Sequence, residues 1–426
     1  MSIGLLDIND SNLQLWHGDH RVQSPGYALL QGQQYLFGVP ARAAARLQPR
    51  DINTRYWWQL STEGLQPALG PARHTGDLVH AHLRQLHTEA QQPDEVLLAV
   101  SGSMQHDQLA LLLGIVEQCP FAAVGLVNRS VALGSLYSRG ERLFHLEIQL
   151  HQAVLSELVT RDDLVELQRN VPLPGCGLLQ LQERLVELIA AAFVRQTRFD
   201  PRRQAATEQQ LYDALPATLQ ALRSSAETNV DVNGYRARIS GNELEAAGKR
   251  LFDSVRESMG ILRPDDQVIA DPIAALLPGL AGEFPMLDIL QTDDMRRALQ
   301  SHEGQLVQRE QALNFVTILP RLKESQIAEA TPASASLATK DAPREERASQ
   351  PTHLLQNHVA RQLTNTPMVM ANGWELFHSE QGWQLRGSGS APHVNGHEYH
   401  PGQILGTGDS VSCAGVATIT LIEVEA

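Results

Sequence analysis

The sequence predicts an α/β protein that carries a small β domain at its C-terminal end. Three observations support this fold class. Continuous apolar runs such as Glu95 to Ser101 are typical of strands buried in a mostly parallel sheet. Helical patterns follow these runs, which gives the strand–helix–strand order of βαβ units. Beyond residue 352 the pattern changes to short strands separated by glycine-containing turns.

Length, charge and cysteine content narrow the class of protein. The 426 residues leave room for two or three domains with sizeable cores. The formal net charge of −14 argues against a general nucleic-acid surface, so no nucleic-acid partner is predicted. Cys119, Cys176 and Cys413 are widely spaced and form no CxxC motif. Neither a disulfide framework nor a zinc site is therefore expected.

The sequence shows no segment for membrane insertion or export. It contains no apolar run of about eighteen residues. The N-terminus has neither a basic region nor a long apolar region of the kind found in secretion signals. We therefore expect no membrane insertion and a cytoplasmic location.

The chain opens on a predicted hairpin. Ile3 to Asp7 and Leu13 to Trp16 are predicted strands, joined by a turn that starts at Asp7. This arrangement resembles the phosphate-binding hairpin that begins actin-like and DnaK-type (heat-shock-70) ATPase domains. The resemblance implies that backbone N–H groups of the turn hold phosphates, and that Asp7 handles the metal and water.

The turn departs from the pattern of that family. Asn9 stands where the family has glycine, which lets the backbone approach a phosphate, and Asp10 adds negative charge at the anion site. Asp7, Asn9 and Ser11 are the candidate cofactor-binding residues, on the condition that a nucleotide binds at all.

The next segment is predicted from local patterns. Tyr27 to Leu30 and Gln34 to Gly38 form a hairpin with Gly32 at its turn, and Val39 to Leu47 form a short helix. Arg55 to Trp58 is basic and aromatic. It is either a platform for a peptide or nucleic acid or, in the favoured interpretation, a segment that packs onto the first subdomain.

Four histidines lie in or beside the predicted helix Gly76 to Gln91. No pair of them has the i, i+4 spacing of a helical metal site, so solvated histidines are the favoured interpretation. These residues are His74, His80, His82 and His87.

The strand Glu95 to Ser101 is followed by a helix, a strand and a second helix. The order resembles the matching segment of the DnaK family, with Gly102 in place of the family's proline and Asn128-Arg129 in place of its acidic residue. The three predicted elements are Gln105 to Gln118, Ala122 to Asn128 and Ser130 to Tyr137.

A second hairpin, Leu143 to Leu158, falls where the family carries its second phosphate loop, Asp-x-Gly-Gly-Gly-Thr. Here the loop is Glu147 to His151 and contains no glycine. We expect a turn without glycine to offer its backbone amides to a phosphate poorly.

The middle of the chain is predicted to be mostly helical. A capping box of Ser240 and Glu243 starts the last helix, and Asn233-Gly234 marks a hairpin turn. The predicted elements are a turn over 170–177, a helix over 178–196, a loop and helix over 195–216, a hairpin over 230–239 and a helix over 240–259.

A third loop follows the predicted strand Gln267 to Ala270. It resembles the family's adenosine loop, Gly-Gly-x-x-x-x-Pro, with Ala270 and Asp271 in place of the glycines and Pro278-Gly279 at the start of a helix. Helices over 293–299 and 306–314 are predicted to close this part of the chain.

The resemblance covers residues 1–322 and implies a two-lobed actin-like or DnaK-like nucleotide-binding fold. Residues 323–351 are rich in Ala, Ser, Pro and charge, which predicts a flexible linker that proteases cut first. The C-terminal part contains Val394-Asn395-Gly396, then a turn at Gly402, Leu405 and Gly408-Asp409. By this pattern residues 352–426 resemble a forkhead-associated β-sandwich. Arg386, Ser388, Ser390 and His393 only partly match the phosphopeptide-binding pattern, so that activity stays open.

The C-terminal part also holds a metal-like cluster of turn histidines and one acidic residue. Solvated histidines on a small β domain are the favoured interpretation, and no metal ligand is predicted. The cluster consists of His393, His397, Glu398 and His400.

These features predict a catalytically degenerate heat-shock-70-like protein, a pseudo-ATPase that acts as a protein-binding scaffold or regulator. No catalytic residue and no cofactor are expected, and the partner is expected to be a protein. The alternative is an active, divergent, ATP-dependent chaperone-like ATPase that uses ATP and magnesium. A third possibility is a filament-forming or secretion-scaffold relative of actin.

Overall fold

A computed structural model describes residues 3–309, 313–322 and ten stretches of the C-terminal part. The chain forms two compact units, Met1–Ser334 and Ala335–Ala426. Residues 323–350 of the predicted linker and the residues Ser388, Ser390 and Cys413 lie outside the described residues. The ten stretches are 351–356, 359–363, 367–369, 374–379, 382–387, 392–394, 397–400, 403–406, 409–412 and 419–422.

The first unit is an α/β structure, as the sequence predicts. Its strands are β1 (Gly4–Ile8), β2 (Leu13–His17), β3 (His20–Ser24), β4 (Ala28–Gln31), β5 (Gln34–Phe37), β6 (Ile52–Asn53), β7 (Gly64–Leu69), β8 (Ala72–His74), β9 (Glu95–Val100), β10 (Ala122–Asn128), β11 (Arg142–Ile148), β12 (Gln152–Arg161), β13 (Leu164–Pro174), β14 (Glu227–Val232), β15 (Tyr235–Ser240), β16 (Gln267–Ala270), β17 (Leu287–Ile289), β18 (Phe315–Val316) and β19 (Ile318–Pro320).

Eleven helices and three 3₁₀ segments are described in the same unit. The helices are α1 (Val39–Ala43), α2 (Thr75–Glu89), α3 (His106–Val116), α4 (Arg129–Tyr137), α5 (Leu178–Thr197), α6 (Ala205–Leu222), α7 (Gly241–Leu244), α8 (Lys249–Met259), α9 (Leu280–Glu283), α10 (Asp294–Ser301) and α11 (Glu303–Leu306). The 3₁₀ segments are Pro201–Arg203, Glu245–Ala247 and Pro272–Leu276. No described helix is both long enough and apolar enough to cross a membrane.

Two six-stranded sheets share one strand order. In the first, β3, β2 and β1 are antiparallel neighbours, and β9, β10 and β18 follow β1 in parallel. In the second, β13, β12 and β11 are antiparallel, and β16 and β17 follow β11 in parallel. β19 is the additional antiparallel strand beside β13. The same arrangement of three antiparallel and two parallel strands therefore occurs twice.

The apolar core of this unit is formed by the faces of the two sheets and the helices that cover them. Helices α2 and α3 cover the first sheet, where Leu78, Leu83 and Leu98 are buried. Helices α4 and α10 bring Val131 and Leu299 into a second cluster that includes residues of both sheets. The sheets therefore belong to one continuous packed unit.

A short segment, 315–320, pairs with both large sheets. Phe315 and Val316 extend the first sheet in parallel beside β10. Ile318 starts the antiparallel pairing with β13 at the edge of the second sheet. The two sheets are thereby joined by neighbouring residues of one strand segment.

Three smaller sheets complete the unit: β5–β4–β6, β7–β8 and β14–β15. The predicted hairpins with Gly32 and with Asn233-Gly234 at their turns are confirmed, since Gly32, Asn233 and Gly234 all have positive φ angles. The predicted helix from residue 39 is shorter than expected, because α1 ends at Ala43.

Two predicted elements of the middle segment are wrong. The turn over 170–177 is largely the end of β13, which pairs with β12 up to Pro174. The helix over 240–259 is broken into α7, a 3₁₀ turn and α8. Ser240 makes no side-chain cap, and Glu243 instead pairs with Arg195 at 2.6 Å. At the break, any Cβ on Gly248 would lie 2.3 Å from the ring of Phe252.

The predicted helix over 306–314 is also wrong. Helix α11 ends at Leu306, which is fully buried, and the chain then passes to β18. Extended pairing of Phe315 with Leu126 requires the chain to leave the helix before that point.

The second unit is described only as strands. They are β20 (His353–Gln356), β21 (Val359–Gln362), β22 (Met368–Val369), β23 (Trp374–Ser379), β24 (Gly382–Gly387), β25 (His393–Val394), β26 (His397–Glu398), β27 (Ser410–Ser412) and β28 (Ile419–Ile422). They form one sheet in the order β21–β20–β28–β27–β25–β26 and another in the order β22–β23–β24.

The described core of the second unit is aromatic and aliphatic. Trp374 and Tyr399 pack edge to face, and Leu376 and Leu421 are fully buried. The turn residues Asn395, Gly396, Gly402 and Gly408, on which the forkhead-associated resemblance depends, lie outside the described residues.

Candidate functional site

The candidate site begins at the carboxyl end of β1, where Asp7 is buried. The side chain of Asn9 organises the turn, because its Oδ1 accepts hydrogen bonds from the N–H and Oγ–H of Ser11 at 3.0 and 2.9 Å. Its Nδ2 donates to Asp271 Oδ2 at 3.1 Å and to the carbonyl of Ile148 at 3.3 Å. The three predicted site residues thus lie in one turn, and Asn9 links that turn to the second sheet.

The second turn faces the first. The N–H of Leu150 donates to Asp10 Oδ1 at 2.7 Å, and the N–H of Ile148 donates to Asp271 Oδ2 at 3.3 Å. The expectation that a turn without glycine offers its amides poorly to a phosphate stays a prediction. The amides are used, but their acceptors are carboxylates of the same chain.

Arg129, the first residue of α4, lies between the carboxylates. Its Nε is 2.7 Å and its Nη2 is 3.2 Å from the two carboxylate oxygens of Asp7. Its Nη2 is also 2.8 Å from Asp271 Oδ1, and its Nη1 is 3.7 Å from Glu147 Oε2. We call Asp7, Arg129, Glu147 and Asp271 the Arg129 cluster. Each member stands at or just after the carboxyl end of a strand, respectively β1, β10, β11 and β16.

Burial sets the protonation of this cluster. It raises the pKa of Asp7 and of Glu147 above the ordinary values, although Arg129 opposes the rise at both. Burial also acts on Asp271, but there Arg129 and His145 outweigh it and lower the pKa to about 2. Asp271 additionally accepts hydrogen bonds from Asn9 and from the Ile148 amide. The carboxylates hold the pKa of Arg129 well above its usual value, so the guanidinium is charged.

Four polar atoms of the site have no hydrogen-bond partner among the described residues. They are Arg129 Nη1, Glu147 Oε2, His145 Nε2 and Asp271 Oδ1, the last of which is instead in ion-pair contact with Arg129 Nη2 at 2.8 Å. His145 Nε2 is 3.5 Å from Asp271 Oδ1, which is too far for a well-formed hydrogen bond. No group of three or more His, Cys, Asp or Glu residues among the described ones is arranged to hold a metal ion. The only positive charge among the four cluster residues is the guanidinium.

A chain of hydrogen bonds leads from His145 to the first sheet. His145 Nδ1 is 2.8 Å from Ser130 Oγ, which donates to Ser156 Oγ at 2.9 Å. Ser156 donates to Asn170 Oδ1 at 2.7 Å, and Asn170 Nδ2 donates to the carbonyl of Gly102 at 3.0 Å. Three of these side chains, His145, Ser130 and Ser156, are fully buried.

Gln149 makes a second connection between the sheets. Its Nε2 donates to Ser101 Oγ at 2.8 Å, to Ser103 Oγ at 3.1 Å and to Glu147 Oε1 at 2.7 Å. The loop after β9 is therefore fixed to the loop after β11 by an amide side chain.

The third predicted loop lies beside a cavity of about 450 Å³. Ala270 ends β16 as predicted, and Gly279, with a φ of 83°, precedes α9. Apolar side chains in its lining include Leu219, Leu222, Leu276, Leu277, Leu280 and Phe284. Its volume is within the range of small-molecule sites, roughly 300–1,000 Å³.

The aromatic segment after Arg55 divides between core and surface. Tyr56 and Trp57 are buried against His82, with Tyr56 Oη 2.7 Å from Nδ1, and Trp57 Nε1 donates to the same nitrogen at 3.2 Å. The packing interpretation is confirmed for these two residues. Trp58 differs, because 38% of it is exposed.

The four histidines near α2 have separate roles. His74 accepts from the N–H of Asp77 at the start of the helix, and His80 and His87 contact backbone carbonyls. His82 is buried, with Nε2 2.7 Å from Ser24 Oγ. They form no common site, and His82 and His87 are buried where solvated histidines were expected.

Sequence reasoning named Asp7, Asn9 and Ser11 but missed the role of Arg129, Glu147 and Asp271. A signal was available. Each of these charged residues ends or directly follows an apolar strand, and carboxyl ends of parallel strands meet at one edge of a sheet. His145, inside the apolar run of β11, was missed as well.

The charged groups of this site are paired with one another inside the protein. The Ile148 and Leu150 amides, at and just after the end of β11, donate to the carboxylates of Asp271 and Asp10, and a guanidinium pairs with Asp7 and Asp271. We find no protein-family model that matches the sequence and no significant match among curated proteins.

Proposed function

We propose that this chain is a catalytically degenerate, heat-shock-70-like pseudo-ATPase that acts as a protein-binding scaffold or regulator. The observation that carries the proposal is the position of Arg129, paired with Asp7 and Asp271 in the interior. Under the resemblance, this is where a nucleotide's metal and phosphates would sit. A guanidinium there supplies the positive charge that the acidic residues need, without a metal ion.

The backbone amides give further support. In the family that this chain resembles, the backbone amides of the two turns donate hydrogen bonds to phosphate oxygens. Here the Leu150 and Ile148 amides already have carboxylate acceptors in Asp10 and Asp271. A phosphate would have to displace charge-assisted hydrogen bonds worth roughly 1.5–3 kcal/mol each, and it would meet negative charge.

The repeated sheet order supports the two-lobed part of the proposal. The arrangement β3–β2–β1–β9–β10 recurs as β13–β12–β11–β16–β17. Two α/β halves with equivalent strand ends facing each other are what an actin-like or DnaK-like fold implies. The β strands of the second unit supply a further surface. We propose that this unit is a domain of the forkhead-associated type.

The alternative function, an active chaperone-like ATPase, has one observation in its favour. The cavity of about 450 Å³ beside Pro278 and Gly279 lies where the resemblance places adenosine. Adenosine binding there needs no phosphate site, so this cavity supports nucleoside binding more than it supports turnover.

Calorimetric titration of the full chain with ATP and magnesium tests the proposal, together with a phosphate-release assay. We expect no magnesium-dependent turnover above background, and no change when Asp7→Ala is assayed. Turnover that disappears in Asp7→Ala would show that the site is active and would overturn the proposal.

A capture experiment tests the proposal that the chain binds a protein partner. We propose a cytoplasmic protein partner and neither nucleic acid nor a membrane. Deleting residues 352–426 should abolish capture of that partner while the α/β unit keeps its far-ultraviolet circular dichroism. A partner that stays bound to the deletion variant would place the recognition surface in the α/β unit.

A further inference from the structure

A second, larger cavity of the first unit has no role in the arrangement described so far. Its volume is about 1280 Å³, and it lies at the carboxyl ends of β1 and β9, where Ile8, Ser101 and Ser103 form part of its wall. In sheets of this type ligands bind at the carboxyl ends of the strands, where the strand order reverses. The order of the first sheet reverses between β1 and β9. The cavity exceeds the usual volume of a small-molecule site, roughly 300–1,000 Å³.

Two edge strands line this cavity. β6 is the last strand of the sheet β5–β4–β6, and β7 belongs to a two-stranded sheet with β8. Ile52 and Asn53 of β6 and Gly64 to Gln66 of β7 are in the cavity wall. Each strand thus has a side on which no described strand pairs with it. Edge strands of this kind accept an extended peptide through main-chain hydrogen bonds.

The wall between these strands is rich in uncharged donors and acceptors. Amide and hydroxyl side chains satisfy the main-chain groups of a polypeptide without demanding a fixed charge at each position. The lining includes Gln59, Ser61, Gln66, Gln105, Gln108 and Gln152.

Trp58 provides an aromatic surface at the cavity. Its ring stacks on His151, with centroids 5.2 Å apart and planes inclined by 16°. His151 is itself held by Thr54, whose Oγ1 is 3.0 Å from Nε2. The exposed indole is therefore fixed in place and can contact an apolar side chain of a ligand.

The charge at the cavity favours an acidic ligand. Arg50 and Arg55 line it, are exposed, and form no ion pair with a described residue. Against them stands one exposed acidic residue, Glu63, while Asp10 is buried and accepts the Leu150 amide. Exposed guanidinium groups without a partner are suited to carboxylates.

We propose that this cavity binds an extended segment of another protein that carries acidic side chains between apolar ones. The inference rests on the proposed scaffold function and adds to it the site and the chemistry of the partner. Gln149 connects the cavity to the Arg129 cluster, because it lines the cavity and donates to Glu147.

The test uses the full chain and a fluorescent dodecapeptide of alternating Glu and Val, followed by anisotropy. We expect binding that weakens as salt rises. A Lys–Val peptide should bind at least about tenfold more weakly because of the two arginines. A Glu–Pro peptide should bind at least about tenfold more weakly because every second residue lacks a backbone N–H donor.

Variants locate the binding. Trp58→Ala and the double variant Arg50→Glu/Arg55→Glu should each weaken binding of the Glu–Val peptide by about tenfold or more. Arg84→Glu/Arg161→Glu is the matched control, since both arginines are exposed and outside the cavity wall. Its binding should equal that of the wild type. Thermal unfolding of each variant checks that the fold is kept.

Several results would overturn the inference: no binding at millimolar Glu–Val peptide, equal binding of the Lys–Val peptide, or loss of binding only in the control variant. Displacement of the peptide by a dT12 oligonucleotide would show a nucleic-acid site and would also overturn it. ATP turnover in the separate phosphate-release assay would instead contradict the proposed pseudo-ATPase function, whatever the peptide result.

Discussion

The guanidinium Nε of Arg129 lies 2.7 Å from Asp7 Oδ1, and the two side chains are only 6% and 1% exposed. The residues are 122 positions apart in the sequence: Asp7 lies near the end of β1, before the turn to β2, and Arg129 lies at the junction of β10 and α4. Their pairing fixes the end of β1 to the start of α4. It also determines how the nearby acidic residues can be ionised.

Removal of Arg129 should destabilise the protein strongly. In Arg129→Ala the carboxyl groups of Asp7, Glu147 and Asp271 stay buried without the positive charge. Breaking a buried pair by removing one partner costs about 3–5 kcal/mol. Urea unfolding at pH 7 measures the loss. The control Arg84→Ala, at an exposed residue, should stay within about 0.5 kcal/mol of the wild type. A loss below about 1 kcal/mol in Arg129→Ala would contradict the importance of the pair.

Asp10 should make stability depend on pH. Burial raises its pKa to about 7. A carboxyl group with a raised folded-state pKa contributes fully below its ordinary pKa, 3.8, and the contribution is lost as pH rises toward 7. Asp10→Asn keeps an oxygen for the Leu150 amide but carries no charge. We expect the variant to be more stable than wild type at pH 8, by up to roughly 4 kcal/mol, and similar to it at pH 4.

Denaturant unfolding at several pH values measures this difference. Asp51→Asn, at a partly exposed position, is the control and should follow the wild-type pH dependence. Equal stability of Asp10→Asn and wild type from pH 4 to pH 8 would mean that Asp10 is ionised in the fold without cost.

Gly102 and Gly114 should respond oppositely to alanine. A Cβ at Gly102 would lie 2.5 Å from Asn170 Nδ2, so Gly102→Ala displaces Asn170 and breaks its bonds to Ser156 and to the Gly102 carbonyl. We expect a loss of roughly 1–3 kcal/mol. Gly114 lies inside α3 with nothing within 4 Å of a Cβ. Gly114→Ala should therefore stabilise by roughly 0.5–1 kcal/mol. Thermal unfolding of both variants tests this prediction. A change in stability of the same sign in both variants would refute it.

His82 should make the fold sensitive to acid. Burial lowers the pKa of its ring to about 3 from an ordinary value of 6.5. The contribution of a base with a depressed pKa is complete above pH 6.5 and is lost as the pH falls toward 3. His82→Gln cannot take up this proton, so its stability should fall less steeply over that interval.

At pH 7 the same variant should be less stable than wild type, because the hydrogen bonds to Ser24 and Tyr56 and the stacking on Phe37 are disturbed. His80→Gln is the control, because the His80 ring lies near the surface carbonyl of Gln118. Parallel acid-unfolding curves for wild type and His82→Gln would show that protonation of His82 does not affect stability in acid.

Local patterns predicted the elements whose ends carry strong signals. β10 and β16 have the predicted boundaries, because an apolar run ends there at a polar residue. β13 was misjudged because Pro172 and Pro174 are typical of a turn. In the fold β19 pairs only with residues 164–166 of β13, so the prolines lie where that edge has no described neighbour. Proline is tolerated on such an edge.

Whether Asp7, Asn9 and Ser11 bind a nucleotide stays a prediction, and only part of the surrounding arrangement could be predicted. Asp7, Asn9 and Ser11 could be found because they share one short turn. Arg129 and Asp271 could not be assigned to Asp7, because their contacts join residues more than a hundred positions apart. Only the fold brings the strand ends together and buries the guanidinium of Arg129 almost completely.

The segment 315–320 gives the first unit a mechanical property. It pairs through two residues with β10 and through three with β13, so tension on the chain beyond residue 322 is transmitted to both sheets at the same time. These few hydrogen-bonded pairs are the first that the pulling force acts on. Their detachment would expose the outer edges of β10 and β13 together, and open strand edges are where foreign strands pair and aggregation begins. Forced unfolding of this unit should therefore start with the release of six residues.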